Sequence, residues 1–375
     1  MISSYTPLIL LFILVDDLSK SVLQANLDYL PHIKSLVEKS TQYNRFSSAG
    51  VVCNPTRISL LFGMTPKESG VYTNTDFNFR TKHPTAQSLI QRLRTELGYA
   101  VYGTGKIYHG KYAQQERHTF TRFVGEDHDI QLTASEANCT ALTNYTQYGR
   151  FESWQVGRAC LPTDVFRVRR FIRRLPASAE TRAAYFFGNV RPHSPFSYWE
   201  RDTRKQVNDT FGKFSTTEIP EYMRPWNQTE TFDNTTIKTG YARSLLLLDR
   251  AVGSMIRMLQ LRGEWNRTLV VLTADQGFSL GSNNWWGKGV LTPEVINAPL
   301  YISWPHDRTA RVCNEVVSQV DLASLLVQEL NGTATALQLC QDTGPARSFG
   351  LVETLQSVMT RVSLVVNNMT QFSLY

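Results

Sequence analysis

The sequence predicts an α/β protein with a largely parallel central sheet covered by helices on both faces. Three observations carry that prediction. Residues 8–15 are apolar throughout and 269–273 apolar up to Thr273, without the alternation of a half-exposed strand, as in a sheet buried on both sides. Segments with helical spacing separate these and other short apolar runs, the pattern of strands joined by crossover helices. Both runs end in acid, Asp16-Asp17 in one case and Asp275 in the other, followed by Gln276.

The elements follow in order. After the strand at 8–15, Leu27, Leu30, Ile33, Leu36 and Val37 recur at helical spacing and predict a helix over 27–39. A second helix is predicted over 85–97, with Gly98 as its C-cap. Strands are predicted at 99–102 and 183–189. Between them, residues 112–180 carry a weak, Thr/Asn-rich pattern that reads as an excursion from the core. Residues 200–235 are polar, contain Pro220 and Pro225, and read as surface loop. The longest helical pattern is 237–261; the strand at 269–273, a strand at 299–303 and a helix over 314–330 complete the unit. Residues 1–340 are assigned to one domain, catalytic by the resemblance given below. Residues 341–375 hold Val358, Leu364, Val365 and Val366 but no clear run of strands, and the same resemblance implies that they are a short remnant of a C-terminal subdomain.

Composition excludes several classes. Of 375 residues 42% are hydrophobic, with 22 Gly and 15 Pro, which rules out collagen and wholesale disorder. Net charge is +7, yet no Lys/Arg run reaches five, and the densest basic stretch, residues 167–174, reads as a solvated helix face rather than a nucleic-acid site. The run at 8–15 is too short to span a bilayer and is not flanked as a signal peptide, so no stable membrane insertion is expected. Asn-x-Ser/Thr occurs at Asn138, Asn144, Asn208, Asn227, Asn234, Asn266, Asn331 and Asn368, eight sites. Composition alone predicts about three, and the excess points to the secretory route, with the signal peptide absent from this sequence. Five cysteines, Cys53, Cys139, Cys160, Cys313 and Cys340, are simplest as two local disulfides, 139–160 and 313–340, plus one special cysteine, Cys53.

In such sheets ligands bind outside the carboxyl ends of the strands. Asp16, Asp17, Asp275 and Gln276 stand at two such ends and offer a hard-cation site made of oxygen donors, suited to Ca²⁺ or Mg²⁺ rather than zinc. The alternative is that these acids cap helices or form salt bridges.

The segment Cys53-Asn54-Pro55-Thr56-Arg57, followed by Leu60 and Gly63, resembles the signature of the sulfatase family in the alkaline-phosphatase superfamily. Residues 15–18, Gly105-Lys106-Ile107-Tyr108-His109, residues 191–196, residues 273–277 and Trp286-Gly287-Lys288 resemble further blocks of that family, in the same order. The resemblance implies a sulfatase-like fold with a truncated C-terminal portion. It also implies that a formylglycine-generating enzyme converts Cys53 to Cα-formylglycine in the endoplasmic reticulum. One Ca²⁺ would be held by Asp16, Asp17, Cys53, Asp275 and Gln276; Cys53, Arg57, Lys106, His109, His193 and Lys288 would be catalytic. The implied substrate is a sulfated sugar or glycosaminoglycan fragment, of the iduronate 2-sulfate type, and the implied location lysosomal or secreted. His193 would protonate the leaving alcohol, and His109 would take a proton from the hydrated formylglycine. The chain departs from the pattern at Gln276, where His or Asn is usual, at Thr56, where Ser is commoner, and at Asn283-Asn284-Trp285. Two other readings stay open: a catalytically impaired homologue, and a phosphate-ester hydrolase of the same superfamily.

The residue types fit sulfate-ester chemistry on their own terms. Three non-bridging oxygens need positive charge, which Arg57, Lys106, His109, His193 and Lys288 supply, and the departing alcohol needs an acid.

Overall fold

The computed structural model describes residues 9–125, 142–148, 151–156, 163–177, 180–199, 206–208, 234–282, 285–332, 349–356, 359–366 and 369–374. The first segment runs β1 (Ile9–Val15), α1 (Lys20–Asn26), α2 (Pro31–Val37), β2 (Thr41–Ser47), α3 (Cys53–Phe62), α4 (Leu89–Thr95), β3 (Ala100–Gly105) and β4 (Arg122–Phe123). A hairpin of β5 (Leu142–Tyr148) and β6 (Phe151–Val156) precedes α5 (Thr163–Arg174), β7 (Ala183–Asn189), β8 (Phe196–Trp199) and the long α6 (Asn234–Leu261). Then come β9 (Thr268–Ala274), β10 (Ser279–Leu280), β11 (Trp286–Gly287), β12 (Leu300–Ser303), β13 (Arg311–Ser318) and α7 (Gln319–Leu330). The described residues end in β14 (Phe349–Gln356), β15 (Met359–Val366) and β16 (Met369–Leu374).

Eight strands form the central sheet in the order β13-β2-β12-β9-β1-β7-β3-β4. Every neighbouring pair is parallel except the two that β12 makes with β2 and β9. The strands without alternation lie at the centre: all seven residues of each of β1, β7 and β9 are buried. Helices α1, α2 and α5 pack on α6, while α3, α4 and α7 pack on one another, so two helical layers enclose the sheet as the sequence predicts.

The basic stretch is helical as read. On α5, Val165, Val168 and Phe171 are buried while Arg169, Arg170, Arg173 and Arg174 are exposed; Arg167 departs from the reading, being buried beside Asp164 at 3.7 Å. Helix α6 matches the long apolar pattern, and Gly98 takes the left-handed conformation that ends the turn after α4.

The largest departure is at 314–330. Residues 314–318 belong to β13, paired in parallel with β2, and the helix starts only at Gln319. The apolar spacing of 316, 317, 320 and 322 suits either element; the chain changes over at Ser318, whose N–H donates to Asp321 at 3.3 Å. Strand β2 is polar at five of its seven positions and gave no strand signal. The C-terminal segment holds strands that the sequence did not signal: β14, β15 and β16 form a three-stranded antiparallel sheet with β14 lying near β2 and β13. Their polar and apolar residues interleave too irregularly for a period-two pattern to stand out.

Of the two cysteines among the described residues, Cys313 is disulfide-bonded and Cys53 is a free, buried thiol. Cys139, Cys160 and Cys340 lie outside the described residues, as do Asn138, Asn227 and Asn368. Asn266 and Asn331 are exposed. Among the described residues no helix is long and apolar enough to cross a membrane.

Candidate active site

Register brings the two acidic strand ends together. Val15 pairs with Asn189 on one side and Ala274 on the other, so the residues that follow β1, β7 and β9 emerge side by side. Asp16 N–H donates to the Asn189 carbonyl at 3.0 Å, and Asp275 N–H to that of Val15 at 3.2 Å. Asp17 has φ of +58°, a conformation held by no other non-glycine among the described residues. An L-residue is disfavoured there, and surrounding bonds must hold it. They do: Asp17 N–H donates to Asp275 Oδ1 at 3.1 Å, and its carbonyl accepts from the Tyr241 hydroxyl at 2.6 Å. Tyr241 in turn accepts from Ser19 N–H at 2.8 Å.

Cys53 is the first residue of α3, and Arg57, four residues on, falls on the same side of the helix. The Cys53 thiol donates to Asp16 Oδ1 at 3.2 Å and lies 2.8 Å from Lys288 Nζ. Arg57, fully buried, pairs with Asp275 Oδ2 at 2.9 Å through both Nε and Nη2, and with Asp16 Oδ1 at 3.3 Å. Lys106 follows β3 and reaches Asp16 Oδ2 at 2.6 Å. The glycine before it is required, because a Cβ on Gly105 would collide with the Gly188 carbonyl and its φ is +75°. The β10–β11 hairpin delivers Lys288, whose Nζ sits 2.5 Å from Asp17 Oδ1.

His193 Nε2 stands 3.6 Å from Asp17 Oδ2, and Nδ1 contacts the Ser194 carbonyl at 2.5 Å. That second contact requires Nδ1–H, so Nε2 is the nitrogen that gains or loses a proton toward the site. Gln276 accepts from the Thr56 hydroxyl at 3.0 Å and donates through Nε2 to Asp17 Oδ1 at 2.5 Å. Its Nε2 is also 3.6 Å from Cys53 Sγ. His109 lies half-buried three residues beyond Lys106, and its carbonyl accepts from Tyr112 N–H at 3.2 Å.

Asp16, Asp17, Cys53, Arg57, Lys106, His193, Asp275, Gln276 and Lys288 thus form one contact network. Three residues had no sequence signal as parts of the site. Tyr241 reads as a core position of α6. Gln319 spans from Ala49 N–H at 3.0 Å to the Asp275 carbonyl at 2.8 Å, and it ties the loop before α3 to the end of β9. Thr56 appeared in the sequence only as a variant of Ser.

Burial makes these charges strongly interdependent. It disfavours ionisation of Asp16, but Lys106, His193, Arg57 and Lys288 outweigh it and hold the carboxyl well below its usual range. Asp275 is pushed up to about 7 by burial and by its two acidic neighbours, against the pull of Arg57. Burial also opposes the charge on Lys288, yet Asp17, Cys53, Asp16 and Asp275 hold its affinity for the proton well above the ordinary value. His193 is lowered, burial outweighing Asp17 and Asp16. Burial and Asp16 raise the Cys53 thiol, so the unmodified side chain is a neutral thiol and a poor nucleophile.

One ligand atom each from Asp16, Asp17, Cys53 and His193 lies within 4.8 Å of the others. That is about twice a Ca²⁺–oxygen distance, so one cation fits among them. Asp275 stands immediately behind, with Oδ1 taking two backbone N–H groups and Oδ2 taking Arg57. Three acids and three cations balance in this cluster, and a divalent cation would leave a positive site for an anionic ester. The carboxylate oxygens of Asp16 and Asp17 suit a hard cation, whereas the Cys53 sulfur and the His193 nitrogen do not select one.

A sulfatase family profile matches residues 9–331. Human iduronate 2-sulfatase is 22% identical over 342 residues, covering 82% of this chain and 61% of that protein. The chain therefore spans about three fifths of the length of the curated relatives first matched. Among solved structures, the phosphonate monoester hydrolase of Silicibacter pomeroyi superposes with a TM-score of 0.70 at 17% identity, covering 98% of this chain and 88% of that one. A structure bound to its substrate D-glucosamine-2-N,6-O-disulfate superposes with a TM-score of 0.68 at 15% identity, covering 98% and 90%. These two likenesses show that the chain shares the fold of those two proteins. The family match spans the central sheet and every residue of the acid-and-cation cluster, and the chain belongs to the sulfatase family.

Proposed function

We propose that the chain hydrolyses a sulfate monoester of a sulfated sugar, of the iduronate 2-sulfate type, with Cys53 present as formylglycine and one Ca²⁺ at the strand ends. The observation that carries this reading is the position of residue 53. It heads a helix and faces Asp16, Lys106, Gln276 and Lys288 together.

Asp16, Asp17, residue 53 and Asp275 would hold the cation, and Gln276 would add an oxygen donor with its amide turned over. The bound cation supplies positive charge that polarises oxygen. Formylglycine, when hydrated, supplies a geminal diol as nucleophile. Lys106 and Lys288 bind the non-bridging oxygens, and Arg57 fixes Asp16 and Asp275 relative to the head of α3. His193 carries the proton for the leaving alcohol on Nε2, and His109 receives the proton lost from residue 53. The chain's route is secretory, to lysosome or exterior, by way of the endoplasmic reticulum, where it would meet the formylglycine-generating enzyme.

The phosphonate hydrolase likeness supports a second reading, in which the same site takes a phosphorus ester. Protein from a eukaryotic secretory host tests both. The peptide bearing residue 53 should be about 18 Da lighter than the thiol form, and an aryl sulfate should turn over faster than the matching aryl phosphate or phosphonate. Cys53→Ala should abolish turnover. His193→Ala should lower it about 10²- to 10⁴-fold. Because burial lowers His193, the wild-type rate should fall as pH rises through a value below the ordinary histidine range. Faster turnover of the phosphorus ester would replace the sulfatase reading with the second one, and no turnover by formylglycine-containing, Ca²⁺-loaded protein would leave an impaired homologue.

A further inference from the structure

We propose that the arginine face of α5 is a docking surface for a sulfated polysaccharide chain. The proposal rests on the sulfate-ester reading for its choice of polyanion, although the surface itself is independent of the reaction.

Arg169, Arg170, Arg173 and Arg174 are all exposed. At 3.6 residues per turn they occupy an arc of about 140° on the side of α5 opposite Val168 and Phe171. Among the described residues no acid pairs with any of the four; the helix's acid, Asp164, is buried against Arg167 and accepts the backbone N–H groups of Val190 and Arg191 at 3.4 and 3.1 Å. Arg122 from the sheet edge extends the face, its guanidinium donating to the Arg174 carbonyl at 2.7 Å.

A merely solvated face accounts for part of this. Cations in the last turn suit the helix dipole, which explains Arg173 and Arg174. It does not explain Arg169 and Arg170, which stand four residues before them and repel them as like-charge pairs. A face that opposes its own helix without compensating acids fits an anionic partner. All four residues are Arg rather than Lys, and the guanidinium fork matches the oxygens of sulfate in a bidentate way. The placement favours a polymer of the substrate class. Through Asp164 the start of α5 is fixed to the segment that leads into His193, and the arginines begin about 7.5 Å further along the axis, five residues at 1.5 Å each. A chain lying on this face would run toward the loop that carries the proposed acid. RNA is the less suitable occupant, because only half-buried Phe166 interrupts the basic arc and no row of exposed aromatics is present there for base stacking.

The test is binding, read without turnover. Wild-type protein should need more NaCl to leave immobilised heparin than to leave a sulfonate exchanger. The variant Arg169→Gln/Arg170→Gln/Arg173→Gln/Arg174→Gln should lose that difference, with the slope of log affinity against log salt falling by about three. The single Arg170→Glu variant should weaken heparin binding several-fold, and it serves if the quadruple variant does not fold by circular dichroism. Soluble heparin should compete better than desulfated heparin, poly(U) or phosphatidylserine vesicles. Co-elution of wild type and both variants, or equal competition by poly(U) or vesicles, would overturn the proposal. Arginine-dependent heparin binding by a protein that hydrolyses no sulfate ester would overturn the function reading and leave the docking surface standing.

Discussion

The ends of β1 and β9 lie side by side in register, and each places a buried carboxylate beside Arg57, yet the two acids are driven in opposite directions. Asp16 faces Lys106, Arg57, Lys288 and His193, and stays ionised well below the usual range. Asp275 has Arg57 as its chief favourable charge, with Asp16 and Asp17 beside it, and is pushed up to about 7. Burial acts on both in the same sense, so the difference comes from how many cations each strand end faces. The first strand end meets groups delivered by β3, α3, the β10–β11 hairpin and the loop after β7. The second meets α3 and its own backbone amides.

The largest expected effect is therefore an opposite pH dependence of two matched substitutions in chelated protein, measured by urea unfolding. Asp16→Asn removes the carboxylate shared by Lys106 and Arg57, and should cost about 3–5 kcal/mol at pH 8. The lowered folded-state value means that this contribution is present above the unfolded carboxylate value and is lost as pH falls through the folded one. Asp275→Asn sets an amide NH2 against Arg57 or the backbone N–H groups that the carboxylate accepts, and so costs stability at every pH. The raised value makes wild-type stability fall as pH climbs from about 4 to about 7, so the loss from this variant should be smaller at pH 8 than at pH 5. Losses that change with pH in the same sense for both substitutions would show that the two strand ends share one electrostatic environment.

A cation sharpens the same contrast. Binding draws a proton from Asp275 but not from Asp16, so Ca²⁺ affinity should rise with pH up to about 7, by at most tenfold per unit, and flatten above it. Calorimetry in two buffers of different ionisation heat would show about one proton released near pH 6. At Ca²⁺ one hundred times the dissociation constant, stability should rise by about 2.7 kcal/mol. Affinity that is flat from pH 5.5 to 7.5 would place Asp275 outside the cation site.

What the sequence could show follows from the same geometry. Strands β1, β7 and β9 were legible because burial on both faces leaves a largely apolar run, and the ends of β1 and β9 were legible because acids stand out after such a run. Lys106, His193 and Lys288 were legible through short motifs. Strand β2 was not, since a mostly polar strand whose two apolar residues are three apart resembles a loop, and β13 was merged into α7 because its apolar residues suit both periods. Tyr241 and Gln319 were hidden for another reason. Each acts by a side-chain bond to a backbone more than 40 residues away, to Asp17 and Ser19 in one case and to Ala274 and Asp275 in the other. Only the folded register reveals such partners.

The smallest expected effect lies at the joint between the head of α3 and the end of β9. The Thr56 hydroxyl, buried, sits 2.9 Å from the Val52 and Cys53 carbonyls and 3.0 Å from Gln276 Oε1, with one hydrogen to share among them. If that hydrogen serves Gln276, it holds the amide with Nε2 toward Asp17 and residue 53. Thr56→Val keeps the shape and removes the hydroxyl, leaving a buried amide oxygen without its donor, at a cost of about 1–3 kcal/mol. Thr56→Ser keeps the donor and loses one methyl, at about 0.8 kcal/mol. In chelated protein, where the amide keeps this orientation, the hydroxyl therefore predicts that Val is the less stable variant, whereas a packing role predicts that Ser is the worse of the two. Urea unfolding of the pair separates these outcomes. A serine variant less stable than the valine variant would mean that the methyl, and not the bond to Gln276, joins the helix to the strand.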